Sequence, residues 1–187
     1  MKKKHIPVFV SLFTVSLFLM SCMYGIVGSG KVVKSERQVG LFESISASAG
    51  IEVILAQDSV VNVVVETDDN LQDIIKTEVS NGKLKIYPEM PISHAKAKRV
   101  YVSFKTIHSL EASSGSAIKS KMELKLISLN LSASSGGNID LAMVVNELNI
   151  EGSSGGSIDL TGSAESLDVD GSSGVNIKAS ELQSKTC

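Results

Sequence analysis

The chain of 187 residues contains no tryptophan, and it has only three tyrosines, three prolines and two cysteines. So few aromatic side chains leave few flat surfaces on which sugar rings could stack, which counts against an aromatic carbohydrate-binding cleft. Cys187 is the last residue and Cys22 lies near the start, so no disulfide framework is expected to stabilise the fold.

Basic residues are not in excess. Lys and Arg total 18 against 20 Asp and Glu, and three of the lysines lie at positions 2–4. The chain after residue 21 therefore carries a formal charge of about −5. This balance argues against a nucleic-acid partner and against a basic membrane-binding patch.

The N-terminus has the pattern of a secretion signal. Lys2, Lys3 and Lys4 precede an uncharged run over residues 6–20, which is short for a membrane-spanning helix of about 20 residues. We therefore predict a signal peptide over residues 1–21. The run ends in Leu19-Met20-Ser21-Cys22, which resembles the bacterial lipobox, a signal in which the cysteine is acylated after cleavage.

The lipobox resemblance implies a lipid on Cys22, a tether over residues 22–30 and attachment to a membrane. We expect the outer membrane of the cell envelope, in a leaflet that the sequence leaves open. The alternative is an ordinary signal peptide that happens to contain a cysteine.

From Ser113 the chain repeats a unit that opens with Ser-Ser-Gly. The copies begin at Ser113, Ser134, Ser153 and Ser172, and each contains short stretches of alternating apolar and polar residues. Equivalent positions form apolar columns, namely Ile118, Ile139, Ile158 and Ile177, and Leu110, Leu131, Ile150 and Val169. This pattern predicts an all-β protein, a right-handed parallel β-solenoid over residues 31–187 with coils of about 19–21 residues.

The segment before the repeats predicts one short helix and one hairpin, inserted in an early coil. Leu71, Ile74, Ile75 and Val79 recur at helical spacing. The stretch 79–86 is centred on Asn-Gly, a pair that favours a tight hairpin turn.

The last repeat is short by one strand, because Thr186 falls where the column of Leu148 and Leu167 would continue. We therefore expect repeats that are truncated, or completed by another chain. Self-association through the uncapped C-terminal coil is a corresponding expectation.

The order and spacing of several residues resemble the auto-transporter adhesin "head GIN domain" family. The resemblance begins with Gly28-Ser29-Gly30. It continues with Arg37, Val39, Phe42 and Ile45, then with Val53, Leu55 and Gln57, and extends through the Ser-Gly repeats. It implies a β-solenoid-like domain, common on exported and lipid-anchored proteins of Bacteroidota-type bacteria, with no established active site.

Asp140 and Asp159 are the sharpest chemical candidates. They occupy the same position in successive repeats, so their carboxylates are expected about 5 Å apart. Such a pair can cleave a glycosidic bond or hold a calcium ion. The alternative is a charge ladder, because Lys119 and Lys178 flank the two acids in the same column.

Asp168 and Asp170 form a second acidic candidate, because they alternate along one predicted strand above Asn149 and Glu151. This face could hold a cation or ligand, or be a solvated surface. No spacing of His or Cys predicts a metal site. Gly25–Lys31 matches part of a phosphate-binding loop, but Val32 stands where Ser or Thr is needed, so no cofactor is expected.

Two hypotheses of function follow. The first is a non-enzymatic, lipid-anchored adhesin or binding scaffold that presents polar ladders to a glycan or another envelope protein. The second is a polysaccharide-cleaving enzyme that uses Asp140 and Asp159. A self-assembling structural protein of the envelope is a further alternative.

Overall fold

The computed structural model describes residues 25–186, so the predicted signal peptide and Cys22 lie outside the described residues. Within this range the chain forms fifteen β-strands and one short 3-10 turn at Asp69–Leu71. The strands are β1 (Ile26–Val27), β2 (Val32–Arg37), β3 (Ser44–Ala47), β4 (Glu52–Gln57), β5 (Asn62–Asp68), β6 (Ile75–Ser80), β7 (Lys83–Pro88), β8 (Ile92–His94), β9 (Lys98–Phe104), β10 (Ser109–Ala112), β11 (Ala117–Ser120), β12 (Leu124–Ala133), β13 (Asn138–Gly152), β14 (Ser157–Gly171) and β15 (Asn176–Thr186).

Thirteen of these strands form one mixed sheet, and β1 and β8 form a separate parallel pair. Along the large sheet the order is β2-β5-β9-β4-β11-β13-β12-β10-β3-β7-β6, with β14 and β15 added beyond β13. The sheet wraps into a nearly closed barrel around a single apolar core, to which both the N-terminal and the repeat strands contribute.

The fold therefore differs from the predicted right-handed parallel β-solenoid, and that prediction was wrong. Antiparallel pairs join β2 to β5, β5 to β9, and β6 to β7. The repeats do pair in parallel and in register, with Ile139 opposite Ile158 and Leu148 opposite Leu167. Repeat spacing specifies only local register, so it did not reveal that the non-repetitive segment turns back on itself and closes one mixed sheet.

The predicted short helix is also wrong, because residues 75–80 form β6 and the described residues contain no α-helix. Ile75 and Val79 both satisfy a spacing of four residues and the two-residue alternation of a strand, so the pattern was ambiguous. Pairing with β7 satisfies the backbone of this segment. The predicted hairpin is present, with Asn81 and Gly82 at φ 51° and 71° between β6 and β7.

The Ser-Ser-Gly corners use two left-handed residues in succession. Ser114, Ser135 and Ser154 have φ of 50°, 50° and 49°, and the glycine that follows each of them has φ between 73° and 75°. Left-handed backbone is unfavourable for a residue with a Cβ. The corners therefore cost free energy, which the in-register pairing of each repeat with its neighbours must offset.

Two glycine substitutions test the geometry of the β6–β7 turn, and we expect them to change the free energy of unfolding in opposite directions. Gly82→Ala places a Cβ in the left-handed region of the β6–β7 turn and should lower the free energy of unfolding by about 1 kcal/mol. Gly40 has no such φ, and a Cβ there would meet Val79 at an ordinary 3.9 Å. Gly40→Ala should therefore raise the free energy of unfolding by about 0.5 kcal/mol. Urea denaturation measures both, and equal effects would contradict the assigned turn.

Candidate functional site

The segment Gly25–Lys31, which we call the N-terminal strap, is hydrogen-bonded to the rest of the domain. The amide of Ile26 donates to the carbonyl of Pro91 at 2.8 Å, and that of Gly28 donates to the carbonyl of His94 at 2.7 Å. The Ser93 hydroxyl donates to the carbonyl of Gly25 at 3.1 Å. Most of the residues expected in a tether thus lie against the domain.

Residues Asp68, Asp69 and Asn70 hold the strap from the other side. The Oδ2 of the fully buried Asp68 accepts hydrogen bonds from the amides of Gly30 and Lys96, each at 3.2 Å. The side-chain amide of Asn70 donates to the backbone carbonyl of Val27 at 2.9 Å. A Cβ at position 28 would lie 1.8 Å from Asp68 Oδ2, so only glycine fits there.

Asp140 and Asp159 pair directly in adjacent strands, as the repeat spacing predicted, and both are exposed. Lys119 pairs with Asp140, and Lys178 pairs with Asp159, so the four residues form one row across the sheet. We call the sheet surface that carries this row face A. The Lys119 ammonium instead contacts Glu52 at 3.0 Å. Among the described residues neither aspartate has an ion pair, and the two lie on an open sheet surface.

Face A also carries a charge network around Tyr101 that sequence reasoning missed. The Tyr101 hydroxyl donates to Glu66 Oε2 at 2.8 Å, and Arg99 contacts the same oxygen at 3.2 Å. The ammonium groups of Lys34 and Lys121 lie 4.9 and 4.8 Å from the ring centroid. The hydrogen bond from Tyr101 is the main cause that lowers the pKa of Glu66, with Arg99 and Lys34 adding to it.

Asp168 and Asp170 lie on the strand segments that lead into the Ser-Ser-Gly corners, whereas the residues of face A follow the corners. We call the surface of these segments face B. In register with the two aspartates are Asn149 and Glu151 of the neighbouring strand, and all four side chains are exposed. Asn149 donates to the side-chain oxygen of Asn130 at 2.9 Å, so the column is partly hydrogen-bonded along its length.

Face B contains a shallow polar cleft of about 180 Å³ beside the corners. Two carboxylates and three hydroxyl groups line it, together with one glycine: Glu151, Asp170, Ser132, Ser153, Ser172 and Gly152. These groups offer hydrogen-bond acceptors and donors at strand spacing, about 4.8 Å apart.

Other features of the described residues are less specific. No group of three or more His, Cys, Asp or Glu in the part of the chain that the structure describes could hold a metal ion. Residues 25–186 contain no helix that is long and apolar enough to cross a membrane. Several aliphatic side chains are exposed at the edge away from the corners, among them Leu41, Val60 and Ile127.

Comparisons with known proteins identify the class to which this fold belongs. Residues 41–187 match the family described as "Putative auto-transporter adhesin, head GIN domain", and the chain belongs to that family. A comparison with curated proteins gives no match.

Solved structures share the fold, among them three from Bacteroides and Parabacteroides species. A structure described as a putative adhesin from Bacteroides fragilis aligns with a TM-score of 0.79 at 19% identity, over 86% of this chain and 76% of that one. Two come from Parabacteroides distasonis, and each covers 86% of this chain and 78% of its own. One is described as a putative lipid binding protein, with a TM-score of 0.66 at 20% identity. The other is described as a putative adhesin, with a TM-score of 0.62 at 23% identity. None of the three is described as an enzyme.

The Tyr101 network predicts a pH-dependent stability. Because the folded-state pKa of Glu66 lies below its ordinary value of 4.5, ionised Glu66 stabilises the fold above that value. This contribution is lost as the pH falls through the folded-state pKa. Tyr101→Phe should lower the free energy of unfolding by about 1 kcal/mol at pH 7, and its difference from the wild type should shrink below about pH 4.

Urea denaturation across this pH range measures the effect. Tyr87→Phe is the control, since it removes a tyrosine hydrogen bond to the exposed Glu78. A difference between Tyr101→Phe and the wild type that stays constant down to pH 2 would contradict the assignment.

Removal of one charge from the Asp140–Asp159 pair should stabilise the fold. Like charges directly opposite each other across strands are unfavourable, and an asparagine at 140 could donate to Asp159. Asp140→Asn should therefore raise the free energy of unfolding by about 0.5 kcal/mol. Asp168→Asn is the control, because its paired neighbour is Asn149 rather than an acid. Loss of stability in Asp140→Asn alone would show that the carboxylate has a favourable partner.

Proposed function

We propose that this chain is a lipid-anchored, non-enzymatic binding domain of the cell envelope that holds a glycan on face B. The observation that carries the proposal is the cleft in which Glu151 and Asp170 lie in register between serine hydroxyls. Sugar hydroxyl groups donate to carboxylates, and hydrogen bonds to charged groups contribute more than neutral ones. Membership in an adhesin family supports a binding role at a surface.

The geometry also bears on affinity. The cleft is shallow and without an aromatic lining, so a single site should bind a sugar weakly. Many copies anchored in one membrane would bind a repeating polysaccharide with much higher avidity, because each further contact is intramolecular. A lipid on Cys22 would provide that display.

The polysaccharide-cleaving alternative has less support. Asp140 and Asp159 are exposed on the open surface of face A, where a substrate would remain accessible to bulk water. An active site of this kind needs an enclosed position for the scissile bond and a group that holds the sugar in place.

Multivalent glycan binding tests the proposal. The domain is displayed on beads and applied to an array of bacterial polysaccharides. Glu151→Gln combined with Asp170→Asn should weaken binding at least about tenfold, the equivalent of 1.4 kcal/mol. Asp140→Asn combined with Asp159→Asn makes the same change of charge on face A and should leave binding unchanged.

Three results would contradict the proposal. These are equal loss in both double variants, no binding to any glycan, or release of cleaved sugar that depends on Asp140 and Asp159. The last result would instead establish the enzymatic alternative.

A further inference from the structure

We infer that the end of the domain formed by β1, β8 and the loop 89–91 lies in the headgroup region of the membrane that holds the chain's own lipid anchor. We call this end the strap end. The inference rests on the proposed lipid at Cys22 and adds an orientation to it. The occupant of this surface is the lipid bilayer.

The length of free chain limits how far the strap end can lie from the lipid. Cys22 is three residues before Gly25, and three extended residues span at most about 11 Å. From Gly25 onward the backbone is hydrogen-bonded to β8 and its entry loop. A tether free over residues 22–30 would instead reach about 30 Å and would allow any orientation.

The strap cannot be released cheaply to lengthen this link. Freeing residues 25–30 would break the backbone bonds to Pro91 and His94 and would leave the buried Asp68 without the amide of Gly30. Asp68 would then keep only the amide of Lys96, and a buried carboxylate that loses one of its two donors destabilises the fold. The strap therefore stays in place while the anchor is inserted.

The side chains at the strap end are suited to shallow contact with lipid. Val27 is 61% exposed and Met90 is 51% exposed, and both lie within a few residues of the pairing between β1 and β8. Methionine is flexible and packs readily against irregular apolar surfaces. Near them, Lys31 pairs with Asp69 and Lys76 pairs with Glu89, so these two lysines are neutralised by acidic partners. The contact is thus apolar and interfacial, with the lipid anchor supplying most of the affinity.

The opposite edge of the domain serves as an internal control. Four strands run parallel and pair in register, namely β7, β3, β10 and β12. Along their common direction, Ile127 lies before the paired residues of β12, and Met90 lies after the paired residues of β7. At least six residues of strand, about 20 Å, therefore separate the two positions. Ile127 is 76% exposed, so exposure alone does not distinguish it from Met90.

The absence of tryptophan makes the test specific, because any introduced tryptophan is the only one in the protein. Met90→Trp and Ile127→Trp are expressed as full-length, lipidated chains and reconstituted in phosphatidylethanolamine–phosphatidylglycerol vesicles that contain brominated lipids. We expect Met90→Trp fluorescence to be blue-shifted and strongly quenched, and Ile127→Trp fluorescence to match that in vesicles without bromine. Val27→Trp is a second reporter at the strap end, in case Met90→Trp does not fold.

Mass spectrometry of the same samples separates the two claims. A chain without lipid on Cys22 would overturn the proposed anchor and this inference with it. A lipidated chain in which neither Met90→Trp nor Val27→Trp is quenched would overturn the orientation and leave the anchor intact. Quenching at Ile127 equal to that at Met90 would also overturn it, because it would show a domain that tumbles freely on its anchor.

Discussion

β11 pairs with β4 on one side and with β13 on the other, and this double pairing joins the two halves of the sheet. Its central residue, Ile118, lies between Val53 and Ile139 in a fully buried column. β10 makes the equivalent link between β3 and β12, where Leu110 lies between Ile45 and Leu131. The first repeat is therefore the element through which the irregular N-terminal strands and the regular C-terminal strands share one core. Neither half could bury its apolar face without the other.

This shared core determines what the surface can present. Because the C-terminal strands pair in register, identical polar positions align into columns, and the two acidic pairs of the sequence come to lie on separate faces. The N-terminal half contributes the charge network on face A and the clamp that holds the strap. The strap and the two polar faces thus belong to one domain. In the orientation and function proposed above, the strap end faces the membrane and face B binds a glycan.

Much of the local structure could be predicted from the sequence, whereas the topology could not. Columns such as that of Ile139 and Ile158 followed from the repeat spacing, because one residue of slip would turn every apolar side chain outward. The turn at Asn81-Gly82 followed from its need for positive φ. The antiparallel pairing of β2, β5 and β9 had no local signal, since a run such as Val63–Val65 suits either direction of pairing.

In the candidate site, too, the local alignments could be predicted from the sequence and the long-range contacts could not. The alignment of Asp140 with Asp159, and of Asp170 with Glu151, could be predicted because these residues are related by the repeat. The clamp of Asp68 on the strap could not be predicted, because it depends on contacts with residues about 30 to 40 positions away. Tyr101 and Glu66 are likewise brought together by the pairing of β5 with β9. Before the structure, only the acidic side chains of Asp68 and Glu66 and the aromatic ring of Tyr101 could have drawn attention to these residues.

The central claim is that the two halves form one cooperative sheet joined through β10 and β11. Native-state amide hydrogen exchange tests it most directly, because it reports the free energy of opening residue by residue. If the claim holds, amides of Val100 and Val102 in β9 and of Ile139 and Ile150 in β13 will exchange with the same free energy of opening. Protection that persists in β13 under conditions where β9 already exchanges freely would show two independent units and contradict the account.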